Sequence, residues 1–417
     1  MIRIGIVGCG RILNAHLHGF RQLRENTIDN FRITALVARR EEDGWKFHTR
    51  GKGQEPRPPL LPPESMDPLA APHTYLSDFQ EDASVHVFSD YRAMIDARVV
   101  DAVLDTTPVY LHHQVGLHAI DAGLHLLTQK PLAITVRAAR QMVRAARSRR
   151  VCLGVFENAR YRPWVRAARW AFQSGLIGKP QMAVLGALGG LWSPDRVVAD
   201  TSWRHHKLFA GGGSSIDIGV HQMDMLRYVI GEVQAVQAVV RMFEAVRSSP
   251  NLSGGARQPV ACDVDDTYLA LVRFAGDAIA QLLWSWAGHG APLEFSAAPA
   301  FYGNRGCITG GQLVLDGGEQ KPLVETFEAQ ADAATIDRAF PLGLRDPFAI
   351  LQLDWLRGIE AGRDPETDGD EGLRDLAAAY AILESARAAR AVTLEEVLSG
   401  TVDAYQRPID EHYGLLG

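Results

Sequence analysis

Apolar and polar positions in the first part of the chain follow two alternating patterns. Short, nearly continuous apolar runs are typical of strands buried on both faces of a parallel sheet. Stretches with helical spacing separate these runs. Strands that alternate with helices in this way predict βαβ units and a doubly wound sheet. The predicted strands are 2–7, 31–37, 101–104, 125–127 and 151–156, and helices follow the first strand as far as about residue 23, over 111–122 and over 135–147.

From about residue 179 the pattern changes to consecutive strands, and the end of the chain is helical again. We therefore predict an α/β Rossmann-type doubly wound domain at 1–131. A C-terminal α+β domain with a large, mostly antiparallel open sheet is predicted at 132–417. The C-terminal helices, about 346–395, are expected to pack back on the Rossmann domain. The later predicted strands are 182–188, 232–243, 266–274 and 278–286, and the later helices are 348–360 and 371–389.

A proline-rich segment interrupts the alternation after the second strand. Seven prolines lie between residues 51 and 72. Because proline fixes φ and removes a backbone donor, this segment is neither a helix nor a central strand. We predict an insertion in the Rossmann domain over about 44–84. It is a tolerated surface loop or, alternatively, a lid or an oligomerisation arm.

Composition and charge narrow the class of protein. The 417 residues carry a net charge of −6, from 49 acidic against 43 basic residues. This mild acidic balance argues against a general nucleic-acid binder. No apolar run is long enough to span a membrane, and the start of the chain has no signal-peptide pattern. The four cysteines are too scattered for a disulfide framework or a zinc ribbon, so we expect a cytoplasmic protein.

A glycine turn after the first strand carries the first candidate chemistry. Gly8 and Gly10 directly follow the strand, and Arg11 and Ile12 lead into the next helix. In a dinucleotide-binding fold the first glycine makes the tight turn, and the second lets the backbone approach the pyrophosphate. The third position usually holds Gly or Ala, but here it is Leu13. We predict that Gly8, Gly10, Arg11 and Ile12 bind NAD(P).

The end of the second strand bears on the choice of cofactor. An acidic residue there would bind the ribose 2′-hydroxyl of NAD. This chain has Arg39 and Arg40 instead, followed by Glu41 and Glu42. Because a guanidinium can bind a 2′-phosphate, the pattern favours NADP. The alternative is that Arg39 stacks on the adenine of NAD.

Three further motifs occur in order along the chain. The first is TTP at 106–108 with His112, and the second is AGLHLLTQKP at 122–131. The third is GGGSSIDIGVH at 211–221, which Trp203 and Arg204 precede. Together they resemble the motifs of the glucose–fructose oxidoreductase / inositol dehydrogenase / rhizopine catabolism (Gfo/Idh/MocA) family. The segment 368–392 is similar to that family's closing helix.

The resemblance implies an NAD(P)-dependent oxidoreductase that forms homo-oligomers, as dimers or tetramers. It also implies further contacts to the cofactor and to the substrate. At one of these positions the chain has Gln129 where the family usually has Glu. The implied cofactor contacts are Thr106, Thr107, Pro108, His112, Gln129 and Lys130. The implied substrate contacts, carried over weakly, are Asn158, Arg160, Tyr161, Arg204 and His205.

Three residues are the candidates for catalysis. Lys130 ends a strand at the carboxyl edge of the sheet, where doubly wound folds bind ligands. Asp217 and His221 lie four positions apart on a predicted helix, so they share a face. We expect His221 to act as the general base and Lys130 to position the hydroxyl. Asp217 would orient His221 or bind a neighbouring hydroxyl, and the spacing gives no support to a metal site.

The expected reaction is hydride transfer between the nicotinamide and a secondary alcohol or ketone of a sugar, inositol or related polyol. A first alternative is transient redox with a tightly bound cofactor, for glycoside cleavage or transfer between two sugars. A second alternative is a non-enzymatic nucleotide-sensing regulator, against which the presence of Lys130, Asp217 and His221 together argues.

Overall fold

The computed structural model describes residues 1–51, 55–57, 59, 61, 64–65, 67–80, 84–189, 201–248, 259–294 and 299–416. The chain divides into two compact units. The first comprises Met1–Leu132, Ala139–Tyr161 and Phe340–Gly372. The second comprises Ala133–Ala138, Arg162–Ala339 and Leu373–Gly417.

The strands of the described residues are numbered in chain order. They are β1 (Ile2–Val7), β2 (Phe31–Val37), β3 (His86–Phe88), β4 (Ala102–Asp105), β5 (His125–Gln129), β6 (Leu153–Phe156), β7 (Pro180–Leu188), β8 (Val233–Arg241), β9 (Val246–Ser248), β10 (Pro259–Ala261), β11 (Thr267–Phe274), β12 (Ile279–Ser285), β13 (Leu293–Glu294), β14 (Ala300–Gly303), β15 (Gly306–Thr309), β16 (Gln312–Leu315), β17 (Gln320–Pro322) and β18 (Val392–Thr393).

No helix in the described part of the chain is long and apolar enough to cross a membrane. The helices are α1 (Leu13–Glu25), α2 (Glu41–Trp45), α3 (Tyr91–Asp96), α4 (Val109–Asp121), α5 (Val136–Arg149), α6 (Pro163–Gln173), α7 (Lys207–Ala210), α8 (Ser214–Asp217), α9 (Gly219–Val229), α10 (Leu323–Gln330), α11 (Ala333–Ala339), α12 (Pro347–Ala361), α13 (Gly369–Ala388), α14 (Leu394–Ser399) and α15 (Arg407–His412).

The first unit is built on a parallel sheet of six described strands in the order β3-β2-β1-β4-β5-β6. This is the strand order of a dinucleotide-binding fold, and it confirms the predicted fold class. All four residues of β4 and of β6 are buried, as continuous apolar runs in a parallel sheet require. The carboxyl ends of the strands carry the glycine turn, the TTP turn and Lys130.

The boundaries of the first unit differ from the expected end at residue 131. Strand β6 pairs with β5, so the sheet needs residues beyond that point. Helix α12 also belongs to this unit and packs on α1, where a Cβ at Gly19 would lie 2.5 Å from Oε1 of Gln352. Helix α13 begins in the first unit and continues into the second from Leu373.

The second unit contains a large mixed sheet in the order β17-β16-β15-β14-β7-β12-β11-β8-β18, with β13 paired to β7. Its pairs are antiparallel except β7 with β12, which are parallel. The open, mostly antiparallel sheet is therefore confirmed. The sequence pattern predicted four of the ten strands in this sheet and missed β13 to β18. Strands β13 and β18 have two residues each, and β14 to β17 are short and separated by glycine-containing turns.

The proline-rich insertion is closed at its base by its own two ends. The backbone N–H of Leu76 donates to the carbonyl oxygen of Phe47 at 2.8 Å. An ion pair of 2.7 Å joins Arg50 to Asp78. After α2, its described residues form only two short 3₁₀ turns, Pro68–Ala70 and Leu76–Asp78. The segment therefore starts and ends at one place on the first unit.

Candidate active site

The glycine turn after β1 has the shape that a dinucleotide needs. Gly8 has a φ of +106°, and a Cβ there would lie 2.8 Å from the carbonyl oxygen of Thr106. At Gly10 a Cβ would meet no atom within 4 Å, so space is open beside the start of α1. Leu13 is fully buried, so its side chain occupies the space where a glycine at the third position would let the helix pack more closely. The residues present therefore fit a pyrophosphate at the helix N-terminus.

The turn after β4 is held by the buried carboxylate of Asp105. Both the N–H and the hydroxyl of Thr107 donate to Asp105 Oδ1, at 3.0 and 2.7 Å. The hydroxyl of Thr128 donates to the other carboxylate oxygen at 3.3 Å. Thr106 is buried, and its hydroxyl donates to carbonyl oxygens of the glycine turn, including that of Gly8. Thr106 therefore joins the two turns, while Thr107 and Pro108 stay partly exposed at the same edge.

His112 connects the TTP turn to the segment after β5. Its Nδ1 lies 2.8 Å from the carbonyl oxygen of Pro131, and its Nε2 lies 2.9 Å from that of Thr107. The side chain is buried, and both ring nitrogens face backbone carbonyls. His112 thus joins the TTP turn to the chain next to Lys130, and its contact with the cofactor stays a prediction.

Gln129 is the last residue of β5 and Lys130 follows it, and both are partly exposed. The terminal amide of Gln129 lies 2.6 Å from Nε2 of His16, a buried residue of α1. Gln352 donates to the carbonyl oxygen of His16 at 3.0 Å and lies 3.4 Å from its Nδ1. The rings of Phe156 and Phe348 pack on the imidazole at 4.3 and 5.0 Å.

This environment explains why glutamine can replace the family's usual glutamate. Burial lowers the pKa of His16 to about 3, so the imidazole is neutral at pH 7. The neutral amide of Gln129 can form a hydrogen bond with the neutral imidazole of His16. A carboxylate at position 129 would instead place a charge next to a buried side chain that has no access to water. The Gln129–His16 pair therefore removes a charge from the end of β5 without leaving a buried polar group unpaired.

The buried imidazole of His16 predicts a loss of stability in mild acid. Its folded-state pKa is about 3 and its ordinary value is 6.5, so its contribution is complete above pH 6.5 and lost as pH falls towards 3. Between pH 7 and pH 5, the free energy of unfolding should fall by about 2 kcal/mol more in the wild type than in His16→Gln. Urea titrations at both pH values measure this difference. If His16→Gln and the wild type have the same pH dependence, the burial assigned to His16 is wrong. His118→Gln, at an exposed histidine, serves as the control.

Cationic side chains gather just after β2. Arg39 is exposed and makes no hydrogen bond or ion pair with the described residues, whereas Arg40 pairs with Asp43 at 3.0 Å. Lys46 lies 2.7 Å from the same carboxylate. Of the two arginines expected near the cofactor, Arg39 is thus the one whose guanidinium donors are all unused by the described residues.

In the second unit, a buried carboxylate holds the GGGSS turn. Asp265 is buried and accepts four hydrogen bonds, two at each oxygen. Burial raises its pKa, and the hydrogen bonds from the turn lower it, with the net change upward. A Cβ at Gly213 would lie 1.6 Å from the carbonyl oxygen of Asp265, so glycine is required there. The four donors are the backbone N–H groups of Gly213 and Ser215 and the hydroxyls of Ser214 and Ser215.

Asp217 and His221 follow this turn, but not on one continuous helix as the spacing predicts. Asp217 ends α8, Ile218 interrupts the helix, and His221 lies in the first turn of α9. Nε of Arg204 donates to Asp217 at 3.1 Å. Arg204 also lies over the ring of Trp203 at 4.4 Å. The structure thus brings Asp217 together with Arg204, and both Asp217 and His221 are partly exposed.

The residues expected to contact substrate are mostly buried. Arg160 pairs with Glu371 at 2.8 Å, and the hydroxyl of Tyr161 lies 3.4 Å from that of Thr367. These contacts give both residues a structural role in the first unit. Asn158 is also buried, as is His205, whose Nδ1 accepts from Arg247 at 3.2 Å. Arg204 is the one member of that expected set with more than a quarter of its side chain exposed.

Among the described residues, no three His, Cys, Asp or Glu side chains lie close enough together to hold a metal ion. Sequence reasoning missed Asp265 and His16, because each acts through partners far away in the chain.

Comparison with known proteins places the chain in a family. Residues 66–157 match the model of an oxidoreductase family with an NAD-binding Rossmann fold, and residues 165–309 match the GFO/IDH/MocA C-terminal domain. A 1,5-anhydro-D-fructose reductase of Ensifer adhaerens is 30% identical over 296 residues, which are 71% of this chain and 80% of that relative. The chain is therefore an oxidoreductase, and it belongs to the Gfo/Idh/MocA family, as its motifs predict.

Two further relatives are similar in sequence or in fold. A levoglucosan dehydrogenase of Pseudarthrobacter phenanthrenivorans is 33% identical over 214 residues, which cover 48% of this chain and 53% of that relative. A solved structure of levoglucosan dehydrogenase in complex with NADH and levoglucosan aligns with a TM-score of 0.69 and 20% identity. That alignment covers 94% of this chain and 99% of the other, and it shows a shared fold.

Proposed function

We propose that the protein transfers hydride between a nicotinamide dinucleotide and a secondary alcohol or ketone of a sugar, inositol or related polyol. The observation that carries this proposal is the glycine turn with open space at Gly10, in a chain that belongs to this oxidoreductase family. Relatives named as acting on anhydrosugars support a carbohydrate substrate. The nicotinamide ring, when bound, supplies the carbon that accepts or donates the hydride.

The roles of the protein's own residues follow from their chemistry. His221 takes the proton from the substrate hydroxyl during oxidation. Lys130 donates a hydrogen bond to the same oxygen and stabilises the negative charge that develops there. Asp217 binds a neighbouring hydroxyl of the substrate and is itself oriented by Arg204, which lies 3.1 Å away.

We further propose that NADP is bound in preference to NAD. The support is Arg39, an exposed guanidinium just after β2 that makes no hydrogen bond or ion pair with the described residues. A 2′-phosphate would give it a bidentate partner. The similar levoglucosan dehydrogenase structure contains NADH, so a direct comparison is needed. Fluorescence titration of the protein with NADPH and NADH should give the lower Kd for NADPH.

A panel of sugars and polyols tests the proposed reaction. Each compound is mixed with the enzyme and either NAD⁺ or NADP⁺, and the formation of reduced nicotinamide is followed by its absorbance. Oxidation of at least one ring alcohol is the expected result. Turnover of a substrate without any net change in the cofactor would favour transient redox instead.

The second sheet exposes an apolar face that we propose as a homo-oligomer interface. Leu269 and Leu271 of β11 are 47% and 60% exposed, and Val239 of β8 and Ile279 of β12 are also exposed. Register places Leu269 opposite Val239, and Ile279 opposite the exposed Met182 of β7. Contiguous exposed apolar residues of this kind mark association sites.

Replacing Leu271 by lysine is expected to weaken this assembly, because it would place a charge in an apolar interface. Light scattering on a sizing column should give a multiple of 45.7 kDa for the wild type and a smaller mass for Leu271→Lys at the same concentration. Leu342→Lys, at a leucine that is 45% exposed in the first unit, should keep the wild-type mass. An unchanged mass for Leu271→Lys would show that this face is not the interface.

The cysteines support the proposal that the enzyme works in the cytoplasm. All four are free thiols, and Cys9, Cys152 and Cys262 are buried. A reducing compartment keeps thiols in this state.

A further inference from the structure

One arginine of the proline-rich insertion reaches the glycine turn. Nη1 of Arg57 donates to the carbonyl oxygen of Cys9, between the two turn glycines, at 2.7 Å. Nη2 of the same guanidinium donates to Asp43 Oδ1 at 3.0 Å. Arg57 therefore lies between the turn after β1 and the helix after β2, on the edge of the sheet where a dinucleotide would bind.

The insertion holds Arg57 by its backbone as well. The N–H of Arg57 donates to Nδ1 of His73 at 3.3 Å, and Nε2 of His73 donates to the carbonyl oxygen of Lys46 at 2.9 Å. The imidazole is stacked on Phe47 with ring centroids 4.8 Å apart. Neutral imidazole supplies one acceptor and one donor, which is what these two contacts require. Burial lowers the pKa of His73, so it keeps this form at pH 7.

The contact with Cys9 constrains the turn itself. A trans peptide is planar, so the N–H of Gly10 points away from the carbonyl group that Arg57 holds. The thiol of Cys9 is buried and donates to the carbonyl oxygen of Val37 at 3.6 Å, which fixes the other side of the residue. Arg57 therefore sets the direction of the Gly10 N–H, a donor in the open part of the turn.

Arg57 also adds charge at a place that is already cationic. Asp43 is shared by Arg40, Lys46 and Arg57, three cations around one carboxylate. Burial raises the pKa of Asp43, but hydrogen bonds from Lys46 and Arg40 and the charge of Arg57 lower it to about 2, so it stays ionised. A guanidinium has five N–H donors, and two of those on Arg57 are used by the described residues. The other donors can meet a phosphate.

We infer that Arg57 is a cofactor-binding residue, which the proline-rich insertion delivers to the glycine turn to bind a phosphate of the dinucleotide. The inference rests on the proposed dinucleotide site and gives the insertion a task there. The phosphate is either the pyrophosphate, which NADH and NADPH share, or the 2′-phosphate, which only NADPH has.

Fluorescence titration of the full-length protein with NADH and with NADPH tests the inference. Arg57→Ala should raise the Kd about 10- to 100-fold, the effect of losing a charge-assisted hydrogen bond. A loss with both cofactors assigns Arg57 to the pyrophosphate and the turn, and a loss with NADPH alone assigns it to the 2′-phosphate. Arg39→Ala gives the reference pattern for a 2′-phosphate contact. Unchanged Kd values for both cofactors would overturn the inference.

Two further variants separate binding from folding. Arg50→Ala removes another arginine of the same insertion. Its guanidinium pairs with Asp78 and lies over the ring of Tyr75 at 4.7 Å, so this variant should keep the wild-type Kd. Arg57→Lys keeps the charge but loses the fork, so its Kd should lie between those of the wild type and Arg57→Ala. If Arg57→Ala does not fold, the Kd of Arg57→Lys tests the inference instead.

The titrations need no turnover, so the two proposals can fail separately. If no sugar or polyol is oxidised while Arg57→Ala still weakens cofactor binding, the proposed substrate class is wrong and the role of Arg57 stands. If turnover occurs and Arg57→Ala binds both cofactors as the wild type does, the role of Arg57 is wrong.

Discussion

Replacing His221 by alanine is expected to lower kcat by about 10²- to 10⁴-fold, the usual contribution of a positioned general base. Lys130→Ala should lose a similar factor, because the oxygen that gives up its proton would also lose the hydrogen bond that stabilises its charge. Steady-state rates with the best substrate of the panel measure both effects. Cofactor affinity of His221→Ala should stay at the wild-type value, since the glycine turn belongs to the first unit.

Matched controls identify effects that come from losing any histidine or lysine. His289 lies in the second unit with 72% of its side chain exposed, and Lys179 is also exposed there. Alanine at either position should leave kcat within about twofold, as expected for surface substitutions. Full activity in both His221→Ala and Lys130→Ala would show that the catalytic roles lie elsewhere.

Replacing Asp265 is expected to cause the largest loss of stability. Asp265→Ala leaves two backbone N–H groups and two hydroxyls of the GGGSS turn without their acceptor, at a buried position. Each unsatisfied buried donor costs about 1–3 kcal/mol, so the free energy of unfolding should fall by about 3–5 kcal/mol once the hydroxyls rearrange. Asp265→Asn should lose nearly as much, because its NH₂ group would face two donors.

The turn that Asp265 holds leads directly into Asp217 and His221, so its loss should also lower kcat. Urea unfolding and steady-state kinetics on the same variants measure the two effects. Asp263→Asn, at the exposed neighbour that accepts from the N–H of Lys207, should cost about 1 kcal/mol or less. Wild-type stability for Asp265→Ala would contradict the role given to the buried carboxylate.

The close approach between Gly213 and the backbone of Asp265 can also be tested by replacing the glycine. A Cβ at Gly213 would lie 1.6 Å from a backbone oxygen, so Gly213→Ala should destabilise the protein by about 3 kcal/mol or more. Gly276→Ala, where a Cβ meets no atom within 4 Å, should change stability by less than about 0.5 kcal/mol.

Much of the fold could be predicted because buried parallel strands leave continuous apolar runs. This pattern predicted strands β1, β2, β4, β5 and β6. Strand β3 has three residues, none fully buried, so it leaves no such run. The small strands β14 to β17 were missed for a related reason, since glycines and turns dominate residues 300–322.

The candidate site could be predicted only where a motif is local. Gly8, Lys130 and His221 stand in short segments whose spacing is recognisable. Arg57 and Asp265 act on partners 48 and 52 positions away, a relation that no spacing reveals. A signal for Arg57 does exist in the sequence, since it is the single lysine or arginine between Lys52 and Arg92.

Several side chains that the motifs suggested as ligand contacts are buried in the structure. His112 is hydrogen-bonded to backbone carbonyl groups of the first unit, and His205 is hydrogen-bonded to Arg247 in the second. Both lie in or beside motifs that predict ligand binding. Sequence identifies such polar residues but not the direction in which they face. The same holds for Arg160, whose ion pair with Glu371 is possible only after residues far apart in the chain meet.

Transfer of an isotopic label tests hydride transfer most directly. A sugar or polyol that the enzyme accepts is deuterated at the reacting carbon and incubated with the enzyme and oxidised cofactor, and the nicotinamide is analysed by mass spectrometry. We predict that deuterium moves to the nicotinamide ring in the wild type and that Lys130→Ala and His221→Ala slow this transfer by about the same factor as kcat. Substrate turnover without deuterium in the cofactor would contradict hydride transfer as the reaction of this protein.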